Sequence, residues 1–71
     1  MAKKPTLGSL LRSARLEKGL TLQRVGEAVG VTGSAVAHWE SGLNVPSNDN
    51  LTAVCKALKL SVRNMREIAA R

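Results

Sequence analysis

Few side chains in this sequence could perform acid–base or nucleophilic chemistry, and they are not grouped. The chain contains a single histidine, His38, and a single cysteine, Cys55. No nucleophile lies at a recognisable spacing from a base, and no His/Cys cluster has metal-ligand spacing, so an enzyme is the least expected class and we expect no metal or other cofactor. What remains is hydrogen-bonding chemistry. Ser34 and His38 are four residues apart, so a hydroxyl and an imidazole would share one face of a helix.

Two glycines indicate how the backbone positions Ser34 and His38. Residues 20–41 are typical of two short helices joined by a tight turn. Gly26 lies inside the first helical pattern, where glycine costs about 1 kcal/mol relative to alanine, which indicates close approach by a second helix. Gly30 suits the left-handed position just past a helix end, and Thr32 can cap the next helix. On that next helix the predicted inner-face residues are Ala35, Val36 and Trp39, and the predicted outer-face residues are Gly33, Ser34, Ala37 and His38.

Three further helices are predicted around this pair of helices. The first begins at Pro5 or Thr6 and carries apolar residues at helical spacing. The fourth follows an irregular connection and begins at Ser47 or Asn48. The fifth covers residues 61–70. The sequence therefore predicts an all-α fold of five short helices.

The composition predicts one small domain, residues 1–71, with a core of small aliphatic side chains. Trp39 is the only aromatic residue, and it is assigned to the core. Cys55 is interpreted as a small buried hydrophobic residue in a reducing compartment. The predicted inner-face residues of the other helices are Leu7, Leu10, Leu11 and Ala14; Leu22, Val25, Ala28 and Val29; Leu51, Val54, Cys55 and Leu58; and Val62, Met65 and Ala69, with Ile68 beside them.

The net charge of +6 points to a polyanionic partner, most simply nucleic acid. Basic residues concentrate in residues 1–20 and 51–71, whereas the middle of the chain has only Arg24. The positive charge therefore flanks the two-helix motif. The sequence has no apolar run long enough to cross a membrane and no signal peptide, so we expect a cytoplasmic protein with no membrane partner.

The order of these residues resembles the helix-turn-helix domain of the phage lambda/434 repressor and Cro family, also called XRE-type regulators. The resemblance covers about residues 7–62 and places the helix-turn-helix motif at residues 22–41. The matching positions are Leu11, Arg15, Gly26, Gly30, Val36, Trp39, Glu40, Gly42, Pro46, Leu51 and Leu58. The resemblance implies a lambda repressor-like fold, in which the third helix enters the major groove of DNA.

The resemblance also implies roles for individual residues. The expected base contacts are Thr32, Gly33, Ser34 and His38. Helix-start amides and positive or neutral polar side chains add the expected phosphate contacts, which are Lys3, Lys4, Thr21, Gln23, Arg24, Asn44, Ser47 and Asn48. The basic residues Lys3, Lys4, Arg12 and Arg24 also fit solvated surface charges that contact no DNA. Arg15 and Glu40 are expected to form a partly buried ion pair, although their pattern also fits two separate surface charges.

One departure from the family pattern concerns glutamine. Many relatives have glutamine at the first position of the second helix and early in the third, where this chain has Leu22, Gly33 and Ser34. The bidentate reading of adenine by an amide is therefore absent at these positions. Readout of DNA shape or bridging water is expected to carry more of the specificity.

The leading hypothesis is a sequence-specific DNA-binding transcriptional regulator, a repressor that binds a palindromic operator as a homodimer. The expected dimer contact is the C-terminal helix, residues 61–70, and its apolar patch is Leu60, Val62, Met65 and Ile68. A chain of 71 residues leaves no room for a separate ligand-sensing domain, which favours a Cro-like or restriction-modification controller-like protein. The alternatives are an antitoxin that also binds a toxin, and a protein-interaction module that does not bind DNA.

Overall fold

The computed structural model describes residues 6–69, which form five α-helices and no strand. The helices are α1 (Leu7–Glu17), α2 (Leu22–Val29), α3 (Gly33–Ser41), α4 (Asn48–Leu58) and α5 (Val62–Ala69). The predicted all-α class is confirmed. The predictions for Lys3, Lys4 and Pro5 lie outside the described residues, as does the prediction for the side chain of Ala69.

A residue with a hydroxyl group directly precedes each of the first four helices and caps it. The hydroxyl oxygens of Thr6, Thr21, Thr32 and Ser47 accept a hydrogen bond from the backbone N–H three residues later, at 3.0–3.3 Å. These bonds satisfy N–H groups that have no partner inside the helix. At Thr6 the bond is reciprocal, because the Thr6 N–H donates to the Ser9 hydroxyl at 3.0 Å. This capping box was not predicted, since serine replaces the usual acidic residue.

The turn between α2 and α3 has the predicted left-handed residue. Gly30 has φ of 90° and ends α2, and its N–H donates to the Gly26 carbonyl. This left-handed backbone turns the chain out of α2, and the position suits glycine because a residue with a side chain would be strained at this φ.

Small aliphatic side chains form the core, and Trp39 is the single aromatic residue among them, with 6% of its surface exposed. The predicted stripe of α4 is buried, and Val54 and Cys55 are completely inaccessible. Ala28 was placed on the inner face of α2, but it is exposed. The buried positions of that helix are Val25 and Gly26, and Ala28 points to another side.

The fold holds α3 against two other helices. α3 packs against α2 and α1, whereas α4 packs mainly against α2 and α5. The chain that leads into α3 approaches α2 closely at Gly26, where the sequence predicted a close approach. A β-carbon there would lie 2.6 Å from the Val31 carbonyl oxygen and 2.9 Å from the Thr32 carbonyl carbon. Both are backbone atoms, so a side chain at Gly26 would push the start of α3 away.

Candidate nucleic-acid interface

The free surface of α3 is a single row of polar residues. Of the nine residues of this helix, only Ser34, His38 and Ser41 are exposed; the others are buried or half-buried. Spacings of four and three residues place the three side chains on one line along the helix. α3 therefore presents the Ser34 hydroxyl and the His38 imidazole for hydrogen bonds to a partner, whereas the Ser41 hydroxyl already donates to the His38 carbonyl oxygen at 3.1 Å.

The row is held in position by the close junction of α2 and α3. Gly33 is half-buried, and a β-carbon built there would lie 3.2 Å from the Gln23 nitrogen and 3.3 Å from its Cα. The side-chain direction of Gly33 thus faces the first turn of α2. The prediction of Gly33 on the outer face was wrong in this respect, because the packing of two helices decides the direction. Gly33 can offer only backbone atoms to a partner.

Thr32 lies immediately before α3 and is exposed. Its hydroxyl oxygen accepts a hydrogen bond from the Ala35 N–H at 3.1 Å and so caps the helix. The hydroxyl hydrogen of Thr32 stays available to donate to an external acceptor. A contact from Thr32 would therefore be a donated hydrogen bond, beside the positive end of the helix dipole.

An ion pair ties the far end of α3 to α1. The Arg15 Nε donates to Glu40 Oε2 at 2.7 Å, and the Arg15 Nη2 donates to Glu40 Oε1 at 3.1 Å. The Arg15 Nη1 also donates to the Leu20 carbonyl oxygen at 2.8 Å, so the guanidinium joins α1, the α1–α2 turn and α3. The hydrogen-bonded carboxylate of Glu40 raises the pKa of Arg15, against the opposing effect of burial. Glu40 lies on the flank of α3, and the bond therefore fixes the rotation of the exposed row.

The predicted phosphate contacts on α2 lie together at the start of that helix. Thr21, Gln23 and Arg24 are exposed and line a shallow groove with Glu27. The Thr21 hydroxyl caps the helix through the Arg24 N–H. The first turn of a helix carries unpaired N–H groups and a partial positive charge, which favour an anion, whereas the Glu27 carboxylate in the same groove opposes the charge of Arg24.

The predicted phosphate contacts between α3 and α4 lie in the connection and at the start of α4. Asn44, Ser47 and Asn48 are all exposed. The Asn44 N–H donates to the His38 carbonyl oxygen at 3.3 Å, which fastens the connection to the end of α3. The backbone of Asn44 is therefore attached to the end of α3, whereas Ser47 caps α4 and Asn48 is the first residue of α4.

Two residues near α3 were not among the predicted contacts. Ser41 continues the exposed row as the last residue of α3. Arg12 lines a cleft with Arg15 and the flank of α3. A signal for Arg12 was available, since residues three apart share a helix face and Arg15 was already expected to meet Glu40.

The predicted dimer patch is smaller than expected. Met65 is 3% exposed, because it packs into the core of its own chain, so its assignment to an exposed patch was wrong. Leu60, Val62 and Ile68 are half-buried against that core and keep part of their surface accessible. Any contact made by this region would rest on these three side chains.

The described residues, 6–69, contain no group of three or more His, Cys, Asp and Glu side chains that could hold a metal ion. Over the same residues, every helix is too short or too polar to cross a membrane.

The chain matches, over residues 6–68, the family described as "Helix-turn-helix domain". It belongs to this helix-turn-helix family. The crystal structure of the P22 c2 repressor in complex with a synthetic operator superposes with a TM-score of 0.84 at 29% identity, over 87% of this chain and 94% of that one. The clp gene regulator ClgR from Corynebacterium glutamicum superposes with a TM-score of 0.78 at 39% identity, over 90% of this chain and 68% of that one. The expected lambda repressor-like helix-turn-helix fold is therefore confirmed.

A sequence relative shares the helix-turn-helix domain within a longer protein. The transcriptional regulator ClgR of Mycobacterium tuberculosis is 37% identical over 54 residues, which cover 76% of this chain and 48% of that protein. The chain thus spans about half the length of this regulator.

Proposed function

We propose that this protein is a sequence-specific DNA-binding transcriptional regulator that places α3 in the major groove, and that it has no enzymatic activity. The observation that carries the proposal is the exposed row of α3, in which Ser34, His38 and Ser41 are the only exposed residues of the helix. The B-DNA major groove is about 12 Å wide and accepts a helix of about 10–12 Å diameter. A serine hydroxyl can donate to or accept from a base edge, and an imidazole can donate to N7 or O6 of guanine.

The comparisons support DNA as the partner. The P22 c2 repressor, similar over most of both chains, was crystallised with an operator, and the ClgR proteins are transcriptional regulators. The exposed row of α3 contains no lysine or arginine. Most of the affinity would therefore come from the surrounding phosphate contacts, which include the start of α2 with Thr21, Gln23 and Arg24. Thr32, Ser34 and His38 would supply the discrimination between sequences.

A homodimer on a palindromic operator is part of the proposal. One helix of this length reads few base pairs, and a second copy doubles the interface at a fixed spacing of half-sites. The accessible parts of Leu60, Val62 and Ile68 form the contact that we propose for the dimer. Sedimentation of the protein with and without operator DNA measures this assembly, and a variant with Ile68→Glu should then bind operator as a monomer with much lower affinity.

The experiment that tests the function is selection of bound fragments from genomic DNA, followed by titration of a recovered operator and of a random duplex. We expect tighter binding to the operator, a symmetric recovered sequence, and a steep fall of affinity with salt because several phosphates are neutralised. Absence of duplex binding at low salt would contradict the proposal and favour a protein-interaction module. Equal affinity for operator and random duplex would contradict its sequence-specific part.

A further inference from the structure

A cleft of about 280 Å³ lies beside α3, on the side that faces α1. Three elements contribute to its walls: the middle of α1, the first residue of α2, and the C-terminal half of α3. The lining residues are Arg12, Arg15, Leu22, Ala37, Glu40 and Ser41. Two of these, Arg15 and Glu40, form the ion pair described above, so their charges cancel at the base of the cleft.

Arg12 is the uncompensated charge of this cleft. The residue is exposed, and within residues 6–69 its guanidinium has no hydrogen bond and no ion pair. The guanidinium of Arg15, three residues further along the same face of α1, is instead fully engaged by Glu40 and the Leu20 carbonyl. The cleft as a whole therefore presents one net positive charge, and Arg12 provides it.

The position of the cleft relative to the exposed row decides what Arg12 can meet. Ser41 belongs to both, because it ends the row and also lines the cleft. Ala37 and Glu40 lie on the adjacent flank of α3, between the row and α1. A helix that fills the major groove has a sugar–phosphate strand along each flank, since the helix is nearly as wide as the groove. The flank that carries the cleft would therefore face one of the two strands.

We propose that Arg12 contacts a backbone phosphate of the DNA strand that borders α3 on the α1 side. This inference rests on the proposed function and adds a contact to it. Guanidinium binds phosphate with paired, charge-assisted hydrogen bonds, and within residues 6–69 no hydrogen-bond or ion-pair partner of Arg12 competes. The Arg15–Glu40 ion pair joins α1 to α3, so the backbone that carries Arg12 is tied to the helix that carries the exposed row. Such a contact positions the protein on DNA without reading sequence.

The test compares Arg12→Gln with Lys56→Gln, a matched loss of one positive charge. Lys56 is exposed on α4, which packs mainly against α2 and α5. For Arg12→Gln we expect weaker binding by the same factor on operator and random duplex, and a log–log salt slope shallower by about 0.9, the value for one phosphate. Lys56→Gln should keep the slope of the parent protein. Arg12→Lys should restore the slope, since it restores the charge.

The two ways of failing can be told apart. If the parent protein binds duplex with steep salt dependence but Arg12→Gln has the same slope, only the Arg12 contact is overturned. Loss of affinity for the operator alone would also overturn it, because a base contact would then be the cause. If the parent protein does not bind duplex at low salt, the proposed function and the Arg12 contact fall together. Thermal melting of Arg12→Gln should match the parent, since the side chain has no partner within the described chain.

Discussion

Arg15 and Glu40 are joined by two parallel hydrogen bonds, and their side chains are only 11% and 8% exposed. They are 25 residues apart in sequence. Their bond connects the helix that carries Arg12 to the flank of the helix that carries Ser34 and His38. The separation of the proposed phosphate contact from the proposed base contacts therefore depends on this pair.

We predict that breaking this pair from one side is worse than removing it. Arg15→Met or Glu40→Leu leaves one charge nearly buried without its partner, and each should lower the free energy of unfolding by about 3 kcal/mol. The double variant should lose clearly less than the sum of the two single losses. Urea unfolding followed by the fluorescence of Trp39, which is buried, measures all three. Strictly additive losses would mean that the two charges act independently, as exposed residues do.

The α2–α3 junction leads to a prediction with an internal control. Gly26→Ala places a methyl group 2.6 Å from a backbone oxygen, whereas Gly33→Ala places one no closer than 3.2 Å to any atom of α2. Backbone atoms cannot move aside cheaply, so Gly26→Ala should cost about 1–3 kcal/mol of stability. Gly33→Ala should cost less than Gly26→Ala, because its nearest backbone neighbours, the Gln23 nitrogen and Cα at 3.2 and 3.3 Å, need to shift by only a few tenths of an ångström. Equal stabilities in urea unfolding would show that α2 and α3 are further apart than described.

The exposed row of α3 predicts a change of specificity without a change of fold. Ser34→Ala and His38→Ala should each reduce the preference for operator over random duplex by about five-fold, the equivalent of one hydrogen bond of about 1 kcal/mol. Melting temperatures should stay close to that of the parent, since both side chains are exposed.

Ser13→Ala serves as the control for this pair. Ser13 is an exposed serine on α1, and its loss should leave the preference for operator unaltered. If the α3 variants discriminate as well as Ser13→Ala does, α3 does not read the bases.

Cys55 should be unreactive in the folded protein. The side chain is completely buried, and burial raises the pKa of its thiol, an effect that the nearby charge of Arg66 partly offsets. A disulfide reagent should therefore label Cys55 only at the rate at which the chain unfolds. The variant Ser13→Cys supplies an exposed thiol on the same chain, and that thiol should react at once. If Cys55 were labelled as fast as the cysteine introduced at position 13, the burial of Cys55 would be contradicted.

The raised pKa of Cys55 also predicts a dependence of stability on pH. In the unfolded chain the thiol ionises near its ordinary pKa of 9.0, whereas in the folded chain it ionises only at higher pH. The free energy of unfolding should therefore fall as pH rises above about 9, because the unfolded state then loses its proton more readily. Cys55→Ala should lack this part of the decline. Parallel stability–pH curves for the two proteins would show that the thiol ionises alike in both states.

The local elements could be predicted from the sequence because their causes are local. A hydroxyl such as Thr21 or Ser47 caps a helix through an N–H only three residues away, and apolar residues at helical spacing define the buried side of α4. Gly30 required a left-handed backbone at that single position. Ser34 and His38 were placed on one face by the period of the helix alone. These properties need no knowledge of where the other helices lie.

The tertiary structure decided every property that depends on a second helix. Met65 looks like Val62 and Ile68 in the sequence, but only the packing of α5 against α4 and α1 determines that Met65 is enclosed and the others are not. Gly33 lies on the predicted outer face by periodicity, and the approach of α2 makes it a packing residue. Arg12 and Arg15 are equivalent cations on one face of α1 until α3 brings Glu40 to Arg15 alone. The sequence by itself therefore determined the helices and the polar row on α3, and the contacts between helices decided which charges are neutralised and which remain to meet a partner.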